Sequence, residues 1–284
     1  MAGVVGVVGL GTMGLGIALT YAQAGFPVLA TDASPEARAN AGERLVSALA
    51  PRLAKGALDR VAHDAILGRI TVVETVEGLA PAGLVIEAII ETLAAKQALI
   101  ARLEACLAPD AVIATNTSSL SVAAIAAKAR GHGRILGLHF FNPAQVMKLV
   151  ELVAHAGTAP EALTLARDWT EAAGKVVIDA PDRPGFIVNR CARPFYGEAL
   201  ALLEEGRAPG EIDAAMLAVG YRIGPLSLID LIGADINLAA TEGLARAMGN
   251  HPRYHVFATL KDQVAAGRLG RKSGQGFVFP GDPG

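Results

Sequence analysis

Residues 4–16, VVGVVGLGTMGLG, decide the fold of the first half of the chain. Val4–Val8 is a short apolar run, typical of a strand buried on both faces of a parallel sheet. Glycines interrupt this run over residues 9–14, and apolar residues then recur at helical spacing until Gly25. A second apolar run follows at residues 27–31. The stretch therefore predicts a strand, a helix and a second strand, joined as one β-α-β unit.

The glycine turn has the spacing Gly9-x-Gly11-x-x-Gly14, with Thr12 and Met13 in its variable positions. In such a turn the first glycine permits the tight bend and the second lets the backbone approach a pyrophosphate. The third lets the helix pack closely against the sheet. The N-terminus of the helix also directs backbone N–H groups and a positive dipole end towards phosphates. The turn is therefore interpreted as a dinucleotide site, with a purely structural turn as the alternative.

Asp32 follows the second predicted strand, close to the position where dinucleotide-binding proteins carry an acidic residue. A carboxylate there hydrogen-bonds the adenosine ribose hydroxyls of NAD and repels the 2′-phosphate of NADP. We therefore expect NAD as the cofactor.

Strand and helix signals alternate through the first 183 residues. Further strands are predicted at 70–73, 84–88, 112–115, 135–139, 148–153 and 176–178, with helices at 93–106, 121–127 and 161–173. The alternation predicts an α/β fold with a Rossmann-like doubly wound parallel sheet over residues 1–183. A charged helical hairpin at about 35–67, with Ser34 as its N-cap, interrupts the alternation. It is interpreted as a solvated surface excursion or as a binding arm.

The chain changes character after Arg183. Residues 184–284 carry helical patterns and no convincing strand before the short tail at 277–279. Residues 225–238 are apolar on almost every helical face. They present more apolar surface than a small helical bundle can bury by itself. We therefore predict an all-α C-terminal domain over residues 184–284 that forms a homodimer.

Composition excludes several classes of protein. The 284 residues contain 25 Lys and Arg against 27 Asp and Glu, a net charge of −2, which argues against nucleic-acid binding. Cys106 and Cys191 lie far apart, and no Cys/His spacing indicates a metal site. The uncharged residues 1–31 contain glycines and a proline that argue against a membrane span. We expect a cytoplasmic protein without metal, membrane or nucleic-acid partners.

Polar side chains follow two neighbouring predicted strands at their carboxyl ends. Asn116 and Ser118 come after one strand, while His139 ends the next and Asn142 follows it. Glu151 lies on the strand after that, within reach of the imidazole. A histidine backed by a carboxylate is a common arrangement for a general base beside a hydride acceptor. A structural role for a histidine at a strand end is the alternative.

Six motifs resemble those of the short-chain L-3-hydroxyacyl-CoA dehydrogenase family, which includes 3-hydroxybutyryl-CoA dehydrogenases. They occur in family order over essentially the whole chain: GLGTMG at 9–14, EAIIE at 87–91, NTSS at 116–119, HFFNP at 139–143, PGFIVNR at 184–190 and GRKSGQGF at 270–277. The resemblance implies reversible, NAD-dependent oxidation of an L-3-hydroxyacyl-CoA to the 3-oxoacyl-CoA. It also implies that this acyl-CoA is the small-molecule partner.

The resemblance implies roles for individual residues. His139 matches the catalytic base and Glu151 the acid that orients it. Ser118 and Asn189 match residues that bind substrate oxygens, with Asn142 as a supporting group. The expected NAD contacts beyond the glycine turn are Asp32, Glu91, Lys96, Asn116, Ser118 and Lys272, and candidates for the phosphates of coenzyme A are Arg52 and Lys55.

Three of these residues have simpler interpretations. Glu91 is alternatively an acid at a helix start, Lys96 a solvated lysine, and Ser118 the cap of the following helix. Two other functions also fit the pattern. One is a dehydrogenase of a free hydroxy acid or sugar acid on the same fold, and the other is a non-catalytic NAD-binding protein.

Overall fold

The computed structural model describes residues 3–280. By its internal contacts the chain divides into two compact units, Met1–Arg183 and Pro184–Gly284. Within residues 3–280, no helix has the length and apolar character needed to cross a membrane.

The first unit contains one eight-stranded sheet with the order β3-β2-β1-β4-β5-β6-β7-β8. Its strands are β1 Val4–Val8, β2 Val28–Thr31, β3 Ile70–Val72, β4 Ala82–Glu87, β5 Val112–Thr115, β6 Ile135–Phe140, β7 Leu149–Ala154 and β8 Val176–Pro181. Strands β1 to β6 are parallel to one another. The strand order reverses between β1 and β4, which places a ligand crevice at their carboxyl ends. The predicted doubly wound α/β fold is confirmed.

The last two strands correct the expectation of an entirely parallel sheet. Strand β7 pairs antiparallel with β6, and β8 runs parallel to β7. Residues 141–148 alone connect β6 to β7, whereas a parallel crossover needs about a dozen residues or more. The chain therefore turns back beside β6, and this reversal brings residues of β7 next to the end of β6.

Helices cover both faces of the sheet. They are α1 Thr12–Gln23, α2 Pro35–Ala39, α3 Ala41–Ala54, α4 Arg60–Gly68, α5 Leu93–Cys106, α6 Val122–Ala126 and α7 Pro160–Ala172. Buried side chains of α1, α3, α4 and α7 share one core with one face of the sheet, and those of α5 and α6 share the core of the other face. Side chains alternate between the two cores along each strand, as in Val7 and Val8 of β1.

The charged excursion after β2 consists of three helices where two were predicted. Ser34 caps α2 by accepting a hydrogen bond from the backbone N–H of Ala37, as expected. Asn40 separates α2 from α3. Arg44 of α3 donates to the carbonyl oxygen of Leu10 at 2.6 Å, which fastens the excursion to the glycine turn.

The second unit is helical. Its helices are α8 Val188–Glu204, α9 Pro209–Ala218, α10 Pro225–Ile232, α11 Ala234–Ala247 and α12 Ala258–Ala265. The apolar segment at 225–238 is divided at Gly233, whose φ of 109° ends α10. The tail at 277–279 is not a strand, because its three backbone N–H groups donate to the buried carboxylate of Asp230.

Candidate active site

The glycine turn forms a cradle for a phosphate group. Gly9 has a φ of 98°, and a Cβ on Gly14 would lie 1.7 Å from the carbonyl oxygen of Gly9. A Cβ on Gly11 would meet nothing within 4 Å, so this backbone faces open space. Helix α1 begins at Thr12 with no side-chain cap on its first N–H groups. These residues fit a dinucleotide whose pyrophosphate binds at the start of the helix.

Asp32 lies directly after β2, at the entrance of the same crevice. Its two carboxylate oxygens accept hydrogen bonds from the backbone N–H groups of Leu10 at 2.7 Å and Ser34 at 2.8 Å. Each oxygen keeps a second lone pair for a ribose hydroxyl. Asp32, Gly9 and Gly11 line one cavity of about 790 Å³, together with side chains of α5. Asp32 and the glycine turn therefore line the same cavity.

His139 and Glu151 form a buried pair. They face each other in the antiparallel register of β6 and β7, and Nδ1 of His139 lies 2.7 Å from Oε2 of Glu151. His139 is 6% exposed and Glu151 is fully buried. The ring of Phe141 packs 4.6 Å from the imidazole, centroid to centroid. The pair has the geometry of a carboxylate that fixes the tautomer and orientation of a catalytic histidine.

Asn116 joins the carboxyl ends of the two strands that carry these polar residues. It follows β5, and its Oδ1 accepts a hydrogen bond from the backbone N–H of Phe140 at 2.8 Å. This bond holds the end of β6, and therefore His139, against the loop that begins at Asn116. The first role of Asn116 in the structure is thus to align the two strand ends.

Glu91 binds the loop that follows β5 through several hydrogen bonds. One of its oxygens, Oε1, accepts hydrogen bonds from Thr117 Oγ1 at 2.6 Å and from the backbone N–H groups of Ser118 and Ser119 at 3.0 and 3.1 Å. Burial by itself raises the pKa of Glu91, but these hydrogen bonds and the charge of Lys96 outweigh it and hold the pKa below its usual value. Glu91 therefore positions Ser118 and is more than an acid at a helix start.

Ser118 itself is exposed at the tip of this loop. The suggestion that it caps the following helix is wrong, because the side chain of Ser121 caps α6. Asp182 binds the same helix start, accepting hydrogen bonds from the backbone N–H groups of Val122 and Ala123. The side chain of Ser118 therefore does not cap α6 and remains exposed.

Lys96 is not a solvated lysine, since it is 1% exposed. Its ammonium nitrogen donates to both oxygens of the fully buried Glu87, at 2.8 and 2.9 Å, and lies 3.3 Å from Oε2 of Glu91. Thr115 also donates to Glu87. The motif at 87–91 gave no role to Glu87, because nothing local to it indicates its buried partner Lys96. The geometry favours a supporting role for Lys96, beneath Glu91.

Asn142 lies in the exposed connection between β6 and β7. This connection is anchored by Lys175, whose ammonium donates to the carbonyl oxygens of Ala144 at 2.6 Å and Met147 at 2.8 Å. Burial lowers the pKa of Lys175. Sequence reasoning missed this anchor, because a lone lysine before a strand carries no local signal.

The remaining candidates are Arg52 and Lys55 of the first unit and Asn189 and Lys272 of the second unit. Arg52 donates to Gln23 Oε1 at 2.9 Å, and Lys55 is exposed at the end of α3. In the second unit, Asn189 occupies the first turn of α8. There too, Nζ of Lys272 pairs with Asp235 at 2.5 Å. Within residues 3–280, no group of His, Cys, Asp or Glu side chains forms a metal site.

Comparison with known proteins places the chain in a family. The NAD-binding domain of 3-hydroxyacyl-CoA dehydrogenase matches residues 4–183, and the C-terminal domain of that enzyme matches residues 185–279. A probable 3-hydroxybutyryl-CoA dehydrogenase of Bacillus subtilis (strain 168) is 39% identical over 273 residues, covering 95% of each chain.

Two similar proteins come from Escherichia coli K12. A 3-hydroxyadipyl-CoA dehydrogenase from this organism is 44% identical over 96% of this chain, which spans only 58% of that relative's length. A crystal structure of its 3-hydroxybutyryl-CoA dehydrogenase superposes with a TM-score of 0.94 and 43% identity, over 98% of this chain and 60% of that one. The similarity thus extends over both units of the chain, which belongs to the 3-hydroxyacyl-CoA dehydrogenase family.

Proposed function

We propose that the chain is an NAD-dependent L-3-hydroxyacyl-CoA dehydrogenase that interconverts 3-hydroxyacyl-CoA and 3-oxoacyl-CoA. The observation that carries the proposal is the buried His139–Glu151 pair, 2.7 Å apart, at the end of the strand next to the Asn116–Ser119 loop. The family membership and the names of the relatives support the same activity.

His139 acts as the general base for the substrate hydroxyl. Its Nδ1 is engaged by Glu151, so Nε2 is the nitrogen that takes the proton as the alcohol becomes a ketone. The carboxylate of Glu151 stabilises the resulting imidazolium and keeps the ring in one orientation. Because both side chains are buried, this interaction is stronger than it would be in water. In the reverse direction His139 returns the proton to the ketone oxygen.

The other polar residues position the reactants. Ser118 and Asn189 bind the hydroxyl and thioester oxygens, with Asn142 in support, and Glu91 holds the Ser118 loop in place. The cradle at residues 9–14 binds the pyrophosphate, and Asp32 binds the adenosine ribose. Asn116 and Lys272 complete the NAD contacts, while the buried Lys96 supports Glu91 from beneath instead of touching NAD. NAD, when bound, supplies the acceptor for the hydride that leaves C3.

The rest of the proposal concerns the partners. Arg52 and Lys55, both exposed on the helical excursion, bind the phosphates of coenzyme A. The helical second unit contributes to substrate binding and forms a homodimer. Three apolar side chains support the dimer, since Leu217, Leu231 and Ile236 of this unit are each about half exposed. We also propose that the enzyme acts in the cytoplasm, in β-oxidation or a related degradation of acyl-CoA.

The decisive experiment is an assay of the purified full chain with acetoacetyl-CoA and NADH, followed by the absorbance of NADH. We expect turnover, and in the reverse direction NAD reduction by L- but not D-3-hydroxybutyryl-CoA. The Arg52→Gln and Lys55→Gln variants should show a raised KM for the CoA substrate. A chain that ignores CoA esters but oxidises free hydroxy acids or sugar acids would contradict the proposal, as would one that binds NAD and catalyses neither reaction.

A further inference from the structure

A buried arginine in the second unit has no acidic partner. Arg193 lies on α8 and is 7% exposed. Its Nη1 donates to two neutral oxygens, the backbone carbonyl of Asn237 at 3.2 Å and Thr241 Oγ1 at 3.0 Å. Among residues 3–280, no carboxylate lies within ion-pair distance of it. A buried charge is costly unless it is paired, so an anion bound here would compensate this guanidinium.

Two buried donors at this position have no acceptor. Nε of Arg193 and Nδ2 of Asn237 are buried, and neither makes a hydrogen bond within the described part of the chain. The two residues are neighbours on α8 and α11, because Arg193 donates to the backbone carbonyl of Asn237. Asn237 is itself 1% exposed. A carboxylate has two acceptor oxygens, one for each of these two donors.

The position of Arg193 on its helix relates it to the substrate. Asn189, which the proposed function assigns to a substrate oxygen, precedes Arg193 by four residues on α8. Residues four apart lie on the same face of a helix, about 6 Å apart along its axis. An acyl chain whose reacting end is at Asn189 therefore needs only a few more carbons to bring its far end to Arg193.

We propose that Arg193 and Asn237 bind a carboxylate at the far end of the acyl chain, so that the preferred substrates are 3-hydroxyacyl-CoA esters of dicarboxylic acids. This assignment rests on the proposed function and goes beyond it, because it names a specificity-determining residue and its ligand. The aromatic ring of Tyr196, 4.8 Å from the guanidinium carbon, stabilises the positive charge until the carboxylate arrives. Neither residue takes part in the proton or hydride transfer.

The test compares L-3-hydroxyadipyl-CoA with L-3-hydroxyhexanoyl-CoA, which have equally long acyl chains and differ only at the terminal group. For the full wild-type chain we expect kcat/KM to be at least about 10-fold higher with the dicarboxylic substrate. In the Arg193→Met variant, kcat/KM should fall about 10²-fold with the dicarboxylic substrate. With the hexanoyl substrate, kcat/KM should stay within about 3-fold of the wild-type value. A preference of the wild-type chain for the hexanoyl substrate would overturn the proposal.

Two further variants separate specificity from folding. Arg207→Met removes an exposed arginine just after α8 and should change neither substrate's kcat/KM. Asn237→Leu keeps the backbone carbonyl that Arg193 uses but removes Nδ2, and it should lower kcat/KM for the adipyl substrate alone. Equal losses on both substrates in Arg193→Met and in Asn237→Leu would assign these residues a purely structural role.

Binding measurements keep this proposal distinct from the proposed function. Adipyl-CoA and hexanoyl-CoA lack the reacting hydroxyl, and their Kd values can be measured by calorimetry whether or not the chain turns over. Tighter binding of adipyl-CoA that is lost in Arg193→Met supports the carboxylate site even if no dehydrogenase activity is found. Equal Kd values for the two esters in the wild-type chain overturn it, even if the enzyme is active.

Discussion

Lys96 and Glu87 form a fully buried ion pair in which the lysine ammonium lies 2.8 and 2.9 Å from the two carboxylate oxygens. Glu87 ends β4 and Lys96 lies in the first turns of α5, so the pair ties the sheet to the helix at the crevice. The same ammonium reaches Glu91, whose other oxygen binds the Ser118 loop. A single buried charge therefore supports the position of Ser118, the residue proposed to bind a substrate oxygen.

Replacing Lys96 by methionine should destabilise the first unit by about 3–5 kcal/mol, because Glu87 would remain buried without its counter-charge. Urea unfolding followed by the fluorescence of Trp169, the one tryptophan of the chain, measures this loss in the first unit. The double variant Glu87→Gln/Lys96→Met should recover part of the stability. Lys128→Met, at an exposed position of the same unit, serves as the control. A Lys96→Met variant as stable as this control would show that the Lys96–Glu87 ion pair contributes nothing to the stability of the first unit.

Replacing His139 by glutamine should lower turnover by about 10²–10⁴-fold, since the side chain no longer accepts the hydroxyl proton. The Kd for NADH should be unchanged, because the imidazole acts on the substrate and not on the cofactor. Glu151→Gln should also lower turnover while leaving NADH binding and the melting temperature near their wild-type values. Near-normal turnover of His139→Gln would return His139 to a structural role at a strand end.

Asp32→Asn should raise KM for NAD by about 10–100-fold and change KM for NADP far less, because it removes a charged acceptor for the ribose hydroxyls. The neutral side chain also ceases to repel the 2′-phosphate of NADP. Weaker ribose binding and weaker phosphate repulsion both reduce the preference for NAD over NADP. Asp110→Asn, at an exposed position of the same unit, is the matched control. Equal or better turnover with NADPH in the unmutated chain would refute the assignment.

Glu91 should make folding sensitive to acid. Its pKa in the folded chain is lowered from 4.5, so the carboxylate contributes stability that is present above that value. This contribution is lost as the pH falls through the folded pKa. The difference in unfolding free energy between wild type and Glu91→Gln should therefore be constant from neutral pH to about pH 5 and shrink below it. A difference that does not depend on pH would contradict this explanation.

Much of this architecture could be predicted because it depends on local patterns. The apolar runs of β1 and β5 and the helical spacing of α5 coincide with the observed elements. The pairing of His139 with Glu151 was also predictable, since it needs only two adjacent strands.

Other features could not be predicted because they depend on contacts distant in sequence. Nothing local indicates that Lys96 is buried, since the pattern of α5 is compatible with a solvated lysine at that position. The tail at 277–279 has the composition of a strand, yet its backbone hydrogen bonds go to Asp230, 47 to 49 residues earlier. Likewise, the sequence does not indicate that Nε of Arg193 is buried without a partner, because this depends on the packing of α8 against α11.

The proposed homodimer predicts that a charge on the apolar face of the second unit will separate the subunits. Ile236 of α11 is 54% exposed, so Ile236→Glu should not disturb the core of its own unit, whereas it would bury a carboxylate in an interface between two copies. In sedimentation velocity at about micromolar concentration, the wild-type chain should be a dimer and this variant a monomer. Val61→Glu, at an 81% exposed position of α4 in the first unit, should remain a dimer. A monomeric wild-type chain at this concentration, or a dimeric Ile236→Glu variant, would show that this face serves another purpose.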